Sequence, residues 1–240
     1  MRTKNPISII LGVVATVVLF GAVTALAEDV NPGVAPPDSK PYGKTYGEWA
    51  AALEQWIEAI PYGVNPANDP DGSQSAINQS GSVWFLAGTF KDTTNTKGYF
   101  RSVTIPAGTA IFFPLIDYLN DYPCPEPPPF EPAPGQSLEA FLTSGAKTII
   151  NGVNQLEADL DNQLLSAYRF NSRLFSFTAA GSLSQIDSCI TGSPQLGVVD
   201  GYWLFLNPPS PGKHKLHFLG ALPGFKTEVT YYLTIRGERD

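Results

Sequence analysis

Tyr202-Trp203-Leu204-Phe205-Leu206-Asn207-Pro208-Pro209-Ser210-Pro211-Gly212-Lys213-His214-Lys215-Leu216-His217-Phe218 decides the fold class. Five consecutive large apolar residues, too few for a helix, read as a buried strand. The Pro/Gly cluster turns the chain, and Lys213 to Phe218 runs back as a second strand. Beyond it, Glu228 to Ile235 alternates, with Val229, Tyr231, Leu233 and Ile235 on one face.

The same grammar extends upstream. Val83 to Ala87 is a continuous apolar run, expected as a central buried strand. Arg101 to Ile105 alternates, with Val103 and Ile105 on one face; Pro106-Ala107-Gly108 turns, and Ala110 to Phe113 returns. Phe175-Ser176-Phe177 reads as a further strand, and Asn151-Gly152 predicts a hairpin between Thr148–Ile150 and Val153–Gln155. Ser137 to Lys147 reads as a short helix with Leu138, Phe141 and Leu142 on one face. Leu156, Leu160 and Leu164 recur at helical spacing and leave that stretch ambiguous. A longer helix begins after Thr45, which with Glu48 has capping-box spacing. Trp49, Leu53, Trp56, Ile57 and Ile60 then form one stripe until Pro61. The fold expected is mainly β: an antiparallel β-sandwich, jelly-roll or immunoglobulin-like, with a packed N-terminal amphipathic helix and one or two short helices. The aromatic stripe is read as core rather than as a sugar-stacking platform.

The N-terminus carries the three parts of an export signal: Arg2 and Lys4, an uncharged apolar run from Ile9 to Val23, and Ala25-Leu26-Ala27 before the cut. The run is shorter than the roughly 20 residues of a spanning helix. The expected organisation is a signal peptide over 1–27, an extended leader over 28–40, and one domain over 41–237. The location expected is outside the cytoplasm, periplasmic or extracellular, with no membrane span once the signal is removed. Cleavage also removes two positive charges from a chain whose formal charge is already −7. An acidic surface argues against nucleic acid, which needs clustered Lys and Arg.

The two cysteines, Cys124 and Cys189, are expected to form a disulfide in an oxidising compartment. Cys124 opens a segment from Pro123 to Pro134 that contains seven prolines. Proline lacks the amide donor that helices and inner strands require, so this is an exposed loop.

Three blocks carry a resemblance: Ser82 to Gly88, Ile105 to Pro114, and Ser210 to Phe218. With the Trp-bearing helix before them, they resemble a group of exported bacterial β-sandwich proteins of uncharacterised function. The last block is also similar to the closing strands of immunoglobulin-like modules. The resemblance implies a secreted sandwich and carries no catalytic residue with it.

The chemistry-bearing residues are sparse. His214 and His217, three apart in a strand, point to opposite faces and do not grip one metal. Asn65, Asn68, Asp69 and Asp71 crowd one loop before Gly72. Their oxygens suit Ca²⁺, but the spacing departs from a helix-loop-helix calcium site, and a solvated Asx-rich turn accounts for the same residues. No cofactor is expected, with Ca²⁺ at this loop as the alternative. No serine lies on a Gly-x-Ser-x-Gly turn. Glu48, Asp117, Asp121 and Asp200 flank aromatic segments and are the carboxylates available for hydrolysis. The ligand-binding candidates are Asp69, Asp71, Asp117, Asp200 and His217. These readings favour a non-catalytic envelope or extracellular protein that binds a ligand or partner, a glycan or an envelope protein, through surface loops. A secreted hydrolase using paired carboxylates is the alternative.

Overall fold

The structure is a computed structural model that describes residues 33–125 and 129–237. The export signal and most of the expected leader lie outside the described residues. The first described residues are part of the fold: Val34 bridges to Leu206, Ala35 donates its amide to the Phe205 carbonyl, and both side chains are buried. Leader and domain thus meet earlier than residue 41.

Helix α1 spans Tyr46–Glu58. Its capping box is formed: the Thr45 amide donates to Glu48 Oε2 at 2.7 Å, and the Glu48 amide donates to Thr45 Oγ1 at 3.3 Å. Tyr46, Trp49, Leu53, Trp56 and Ile57 are buried along one side, each worth roughly 1.5–3 kcal/mol of apolar transfer.

Strands β1 (Val83–Phe85), β2 (Tyr99–Pro106) and β3 (Ala110–Tyr122) follow, and then α2 (Leu138–Ile150). Next come β4 (Gln155–Leu160), β5 (Gln163–Leu164), β6 (Tyr168–Asn171) and β7 (Phe175–Thr178). The long strands β8 (Pro194–Leu206), β9 (Gly212–Leu222) and β10 (Phe225–Arg236) close the chain. One sheet has the order β1-β3-β8-β6, with β7 also on β8; the other has the order β2-β10-β9-β4-β5. The orientation is mixed rather than wholly antiparallel, because β1 pairs parallel with β3 and β2 pairs parallel with β10. The run from Val83 is correspondingly a short edge strand, not a central one.

A shared core joins the sheets. Ile111, Phe113, Leu115 and Leu204 of the first meet Val103, Phe218, Val229 and Tyr231 of the second. The Phe113 and Phe218 rings lie 4.9 Å apart. A second core fills the opposite face of the first sheet, where α1 lays Tyr46, Trp49 and Trp56 against Phe112, Trp203 and Phe205.

One local reading is corrected and one ambiguity is resolved. Thr148–Ile150 is the last turn of α2, so Asn151-Gly152 ends a helix instead of joining a hairpin. The helix wins because Leu142, Ala146 and Ile150 recur four apart and bury together. The ambiguous leucines at 156, 160 and 164 lie on β4 and β5. Cys124 and Cys189 are bonded. Among the described residues no helix is long and apolar enough to cross a membrane.

Candidate functional site

The site begins with a slip in β3. Up to Leu115 the strand alternates regularly, with Ile111, Phe113 and Leu115 facing the other sheet, and Ala110 and Phe112 facing α1. The register against β8 shifts between Pro114 and Ile116. Beyond it the sides exchange. Leu119 packs toward the α1 core, while Asn120 donates to the Leu142 carbonyl of α2. A bulge of this kind re-aims every later side chain. Asp117 and Asp121, which share Leu119's parity, therefore face α1. Two glycines make room: a Cβ at Gly201 would lie 2.7 Å from Asp117 Cβ, and one at Gly220 would lie 2.6 Å from Ile116 Cβ.

From α1, Glu54 and Glu58 answer them one turn apart, and both are buried. Asp187, from the loop pinned by the disulfide at Cys189, completes a set of five carboxylates. Glu54, Glu58, Asp117 and Asp187 line a cavity of about 320 Å³ whose other walls include Leu53, Phe90, Leu115 and Phe225. Asp121 lies beside them, and its carboxylate accepts a hydrogen bond from Gln195 Nε2. A wider open groove of about 600 Å³ along α2 is lined by half-buried and exposed side chains and gathers no buried charge.

The carboxyls of Glu54 and Asp117 hydrogen-bond to each other. Burial, reinforced by the charge of Asp117, drives Glu54 well above the usual carboxylate range, so Glu54 holds the proton and Asp117 accepts it. Glu54 Oε1 is sealed from solvent, and no N–H or hydroxyl group donates to it. Burial first, then the charges of Asp187, Asp121 and Asp117, lift Glu58 from 4.5 to about 8. Burial and Asp187 lift Asp121 to about 7.

Among the described residues, none of the five carboxylates is in an ion pair. One buried cation, Arg101, stands behind the wall. Its guanidinium donates to the carbonyls of Ala67, Asp69, Ala87 and Gly88 and to Tyr231 Oη. Metal-ligand geometry is found in one group among the described residues, Asp121, Asp187 and Cys189. The Cys189 sulfur belongs to the disulfide, which leaves two carboxylates, fewer than the six to eight oxygens calcium takes.

Of the candidates read from sequence, Asp117 alone reaches this cavity. Asp69 is buried, and its carboxylate accepts from the Asp71 and Gln74 amides. Asp71 is exposed and caps the Ser73 amide. Asn65 spends its amide group on the Ile57 and Ile60 carbonyls and its oxygen on the Ala67 amide, while Asn68 Oδ1 is buried without a hydrogen-bond partner. Asp200 is buried in an ion pair with Arg169 at 2.7 Å. His217 lies on the outer face of the second sheet between Asp159 and Glu228. Of the four carboxylates considered for hydrolysis, Asp117 lines the cavity and Asp121 lies beside it, while Glu48 is spent in the capping box. Glu54, Glu58 and Asp187 escaped the sequence reading. Ala50, Glu54 and Glu58 recur four apart beside the stripe of Trp49, Leu53 and Ile57, and a helical wheel would have placed both glutamates on its border.

No protein-family model matches this chain, and neither a curated protein nor a solved structure does.

Proposed function

We propose that this chain is an exported ligand-binding protein, built on a β-sandwich scaffold, that takes a small ligand into the carboxylate-lined cavity. One observation carries the reading: Glu54, Glu58, Asp117 and Asp187 line one cavity with Asp121 beside them, Glu54 and Glu58 are buried there, and no ion pair among the described residues neutralises any of the five. Burying charge and unmet polar atoms costs stability, and groups held at that cost are concentrated at functional sites. The volume lies at the small end of ligand cavities, and its mostly apolar wall with a few converging polar groups has their usual make-up. A ligand that donates hydrogen bonds, through ammonium or hydroxyl groups, meets what the carboxylates lack. The binding place is thus a cavity between α1 and β3 in place of the surface loops expected from sequence. The disulfide fits an oxidising location.

The test is a thermal-shift screen of purified protein against small cationic and neutral hydrogen-bond donors. At least one should raise the unfolding midpoint, and Glu54→Gln should remove the rise while Asp71→Ala keeps it. A rise insensitive to Glu54→Gln, or none across the panel, refutes cavity binding.

A second reading draws on the Glu54–Asp117 pair. Burial raises both carboxyls, Glu54 well above its ordinary value and Asp117 above its own, and a pair of this kind is a pattern of acid–base hydrolysis. The two groups are in hydrogen-bond contact, closer than the roughly 5 Å of a glycosidase pair, so water activation by a shared-proton dyad is the chemistry to look for. Product formation from a bound ligand, abolished by Asp117→Asn, would establish this reading in place of simple binding.

A further inference from the structure

The cavity's contents can be narrowed, given that it is a ligand site. An acidic cluster alone would say little. Here Glu58, nine-tenths buried in the cavity wall, has a carboxyl in no hydrogen bond or ion pair among the described residues. Three ligand classes compete. A metal ion needs several oxygens converging on one point, and Glu54, Glu58 and Asp117 do not form such a group. A neutral polyol would satisfy hydrogen bonds but leave the like charges uncompensated. An organic cation does both.

The arrangement also has length. Glu54 and Glu58 are offset by about 6 Å along the helix. Asp117 and Asp121 are offset by about 13 Å along the strand. Glu54 pairs with Asp117 at one end, and Asp121 approaches Asp187 within 4.8 Å at the other. Glu58 lines the same cavity one helical turn from Glu54 and feels the charge of Asp187 most, then Asp121 and Asp117. Leu53, Ile57, Phe90 and Phe225 supply apolar surface along the way. Methylenes pack on such a wall, and an ammonium beside a ring face gains cation–π attraction.

We propose that the cavity binds a linear organic cation with two or more ammonium groups on a methylene chain, a diamine or short polyamine. The Glu54–Asp117 pair receives one ammonium, and Glu58 with Asp121 and Asp187 receives the next.

Isothermal titration calorimetry of the purified full chain at mildly alkaline pH tests this. The probes are putrescine, spermidine, their neutral counterpart 1,4-butanediol, maltose and Ca²⁺. Putrescine or spermidine should bind saturably at one per chain, and butanediol should not. Glu54→Gln and Glu58→Gln, near-isosteric changes checked for folding by circular dichroism, should each weaken amine binding roughly ten- to a hundredfold. Asp71→Asn, a surface acid outside the cavity, should leave it unchanged. Amine binding that ignores both glutamate variants would be surface electrostatics and overturns the proposal. Ca²⁺ binding lost in the same variants, without amine binding, overturns it in favour of a metal. Butanediol or maltose binding that depends on Glu54, without amine binding, keeps the ligand cavity and overturns the cation. No binding by any probe overturns the polyamine and counts against the cavity reading as well.

Discussion

At the scale of residues, Arg101 shows how much the fold depends on one side chain that a pattern reader passes over. It shares parity with Val103 and Ile105 in β2 and is fully buried, yet no carboxylate neutralises it. Four carbonyls from the 67–88 stretch and the Tyr231 hydroxyl take its donors, and its guanidinium stacks 5.5 Å from the Tyr231 ring centroid. The planar fork is what allows one group to gather so many acceptors. Arg101→Leu should destabilise by about 3–5 kcal/mol, since the carbonyls would be left buried and unmet. Arg101→Lys should recover less than half of that, because an ammonium has three donors and no plane. Urea unfolding midpoints measure both, and a near-wild-type lysine variant would show that charge alone suffices. The sequence displays the alternation that buries Arg101 but not its partners, which lie 13 to 34 residues upstream and, for Tyr231, 130 residues downstream. Trp56 is the contrasting case. Its stripe is legible from spacing, it is buried, and its Nε1 donates to the Ile77 carbonyl. Trp56→Ala should cost about 3–5 kcal/mol in the same assay, and an unchanged midpoint would contradict its place in the core.

At the scale of elements, what could be read locally was read. The capping box located α1, the 2-residue period located β2, β9 and β10, and Cys124 found Cys189. Apart from the helix end at Thr148–Ile150 read as a hairpin, what failed was non-local. Whether Val83–Phe85 sits inside or at the edge of a sheet depends on strands far along the chain, and the parallel pairing of β2 with β10 spans most of the domain. The candidate site was half-legible for the same reason. Asp117 and Asp121 stood out beside an aromatic strand, but the slip at Pro114–Ile116 that turns them toward α1 has only Pro114 as its local mark. Its imprint is in the partners, Gly201 and Gly220, which admit no Cβ. Gly201→Ala should therefore push directly on Asp117 and cost about 1–3 kcal/mol, as overpacking does. It should also disturb ligand binding through the Glu54–Asp117 pair. Unfolding midpoints and titration of the variant would check both. A variant as stable as the parent would mean that the bulge yields freely and does not hold Asp117 in place.

At the scale of the whole molecule, the cluster sets how stability responds to pH, and the sign can be worked out. Glu58 rises from 4.5 to about 8 and Asp121 from 3.8 to about 7 on folding. Between the ordinary and raised values the folded chain holds protons that the unfolded chain has released. Stability from these groups is therefore fully present below the ordinary values and is lost as pH climbs through the raised ones. Each group steepens the loss by up to about 1.4 kcal/mol per pH unit inside its window. Hydrogen-bonded surface acids act in the opposite direction: Thr94 hydrogen bonds hold Asp92 low and Thr45 hydrogen bonds hold Glu48 low, so their contribution fades only under strong acid. The ligand-free protein should consequently be most stable near about pH 4 and weaken steadily toward pH 8. Urea unfolding across that range would show it. Glu58→Gln, neutral at every pH, should flatten the upper half of the profile and leave the acid limb in place. A cation bound among the carboxylates should flatten it too, by stabilising the charged form that the empty cavity resists. A parent whose stability is level from pH 5 to pH 8, or a Glu58→Gln variant with the parent's slope, would mean that the cavity carboxylates ionise without cost, and the demand for a countercharge would disappear with it.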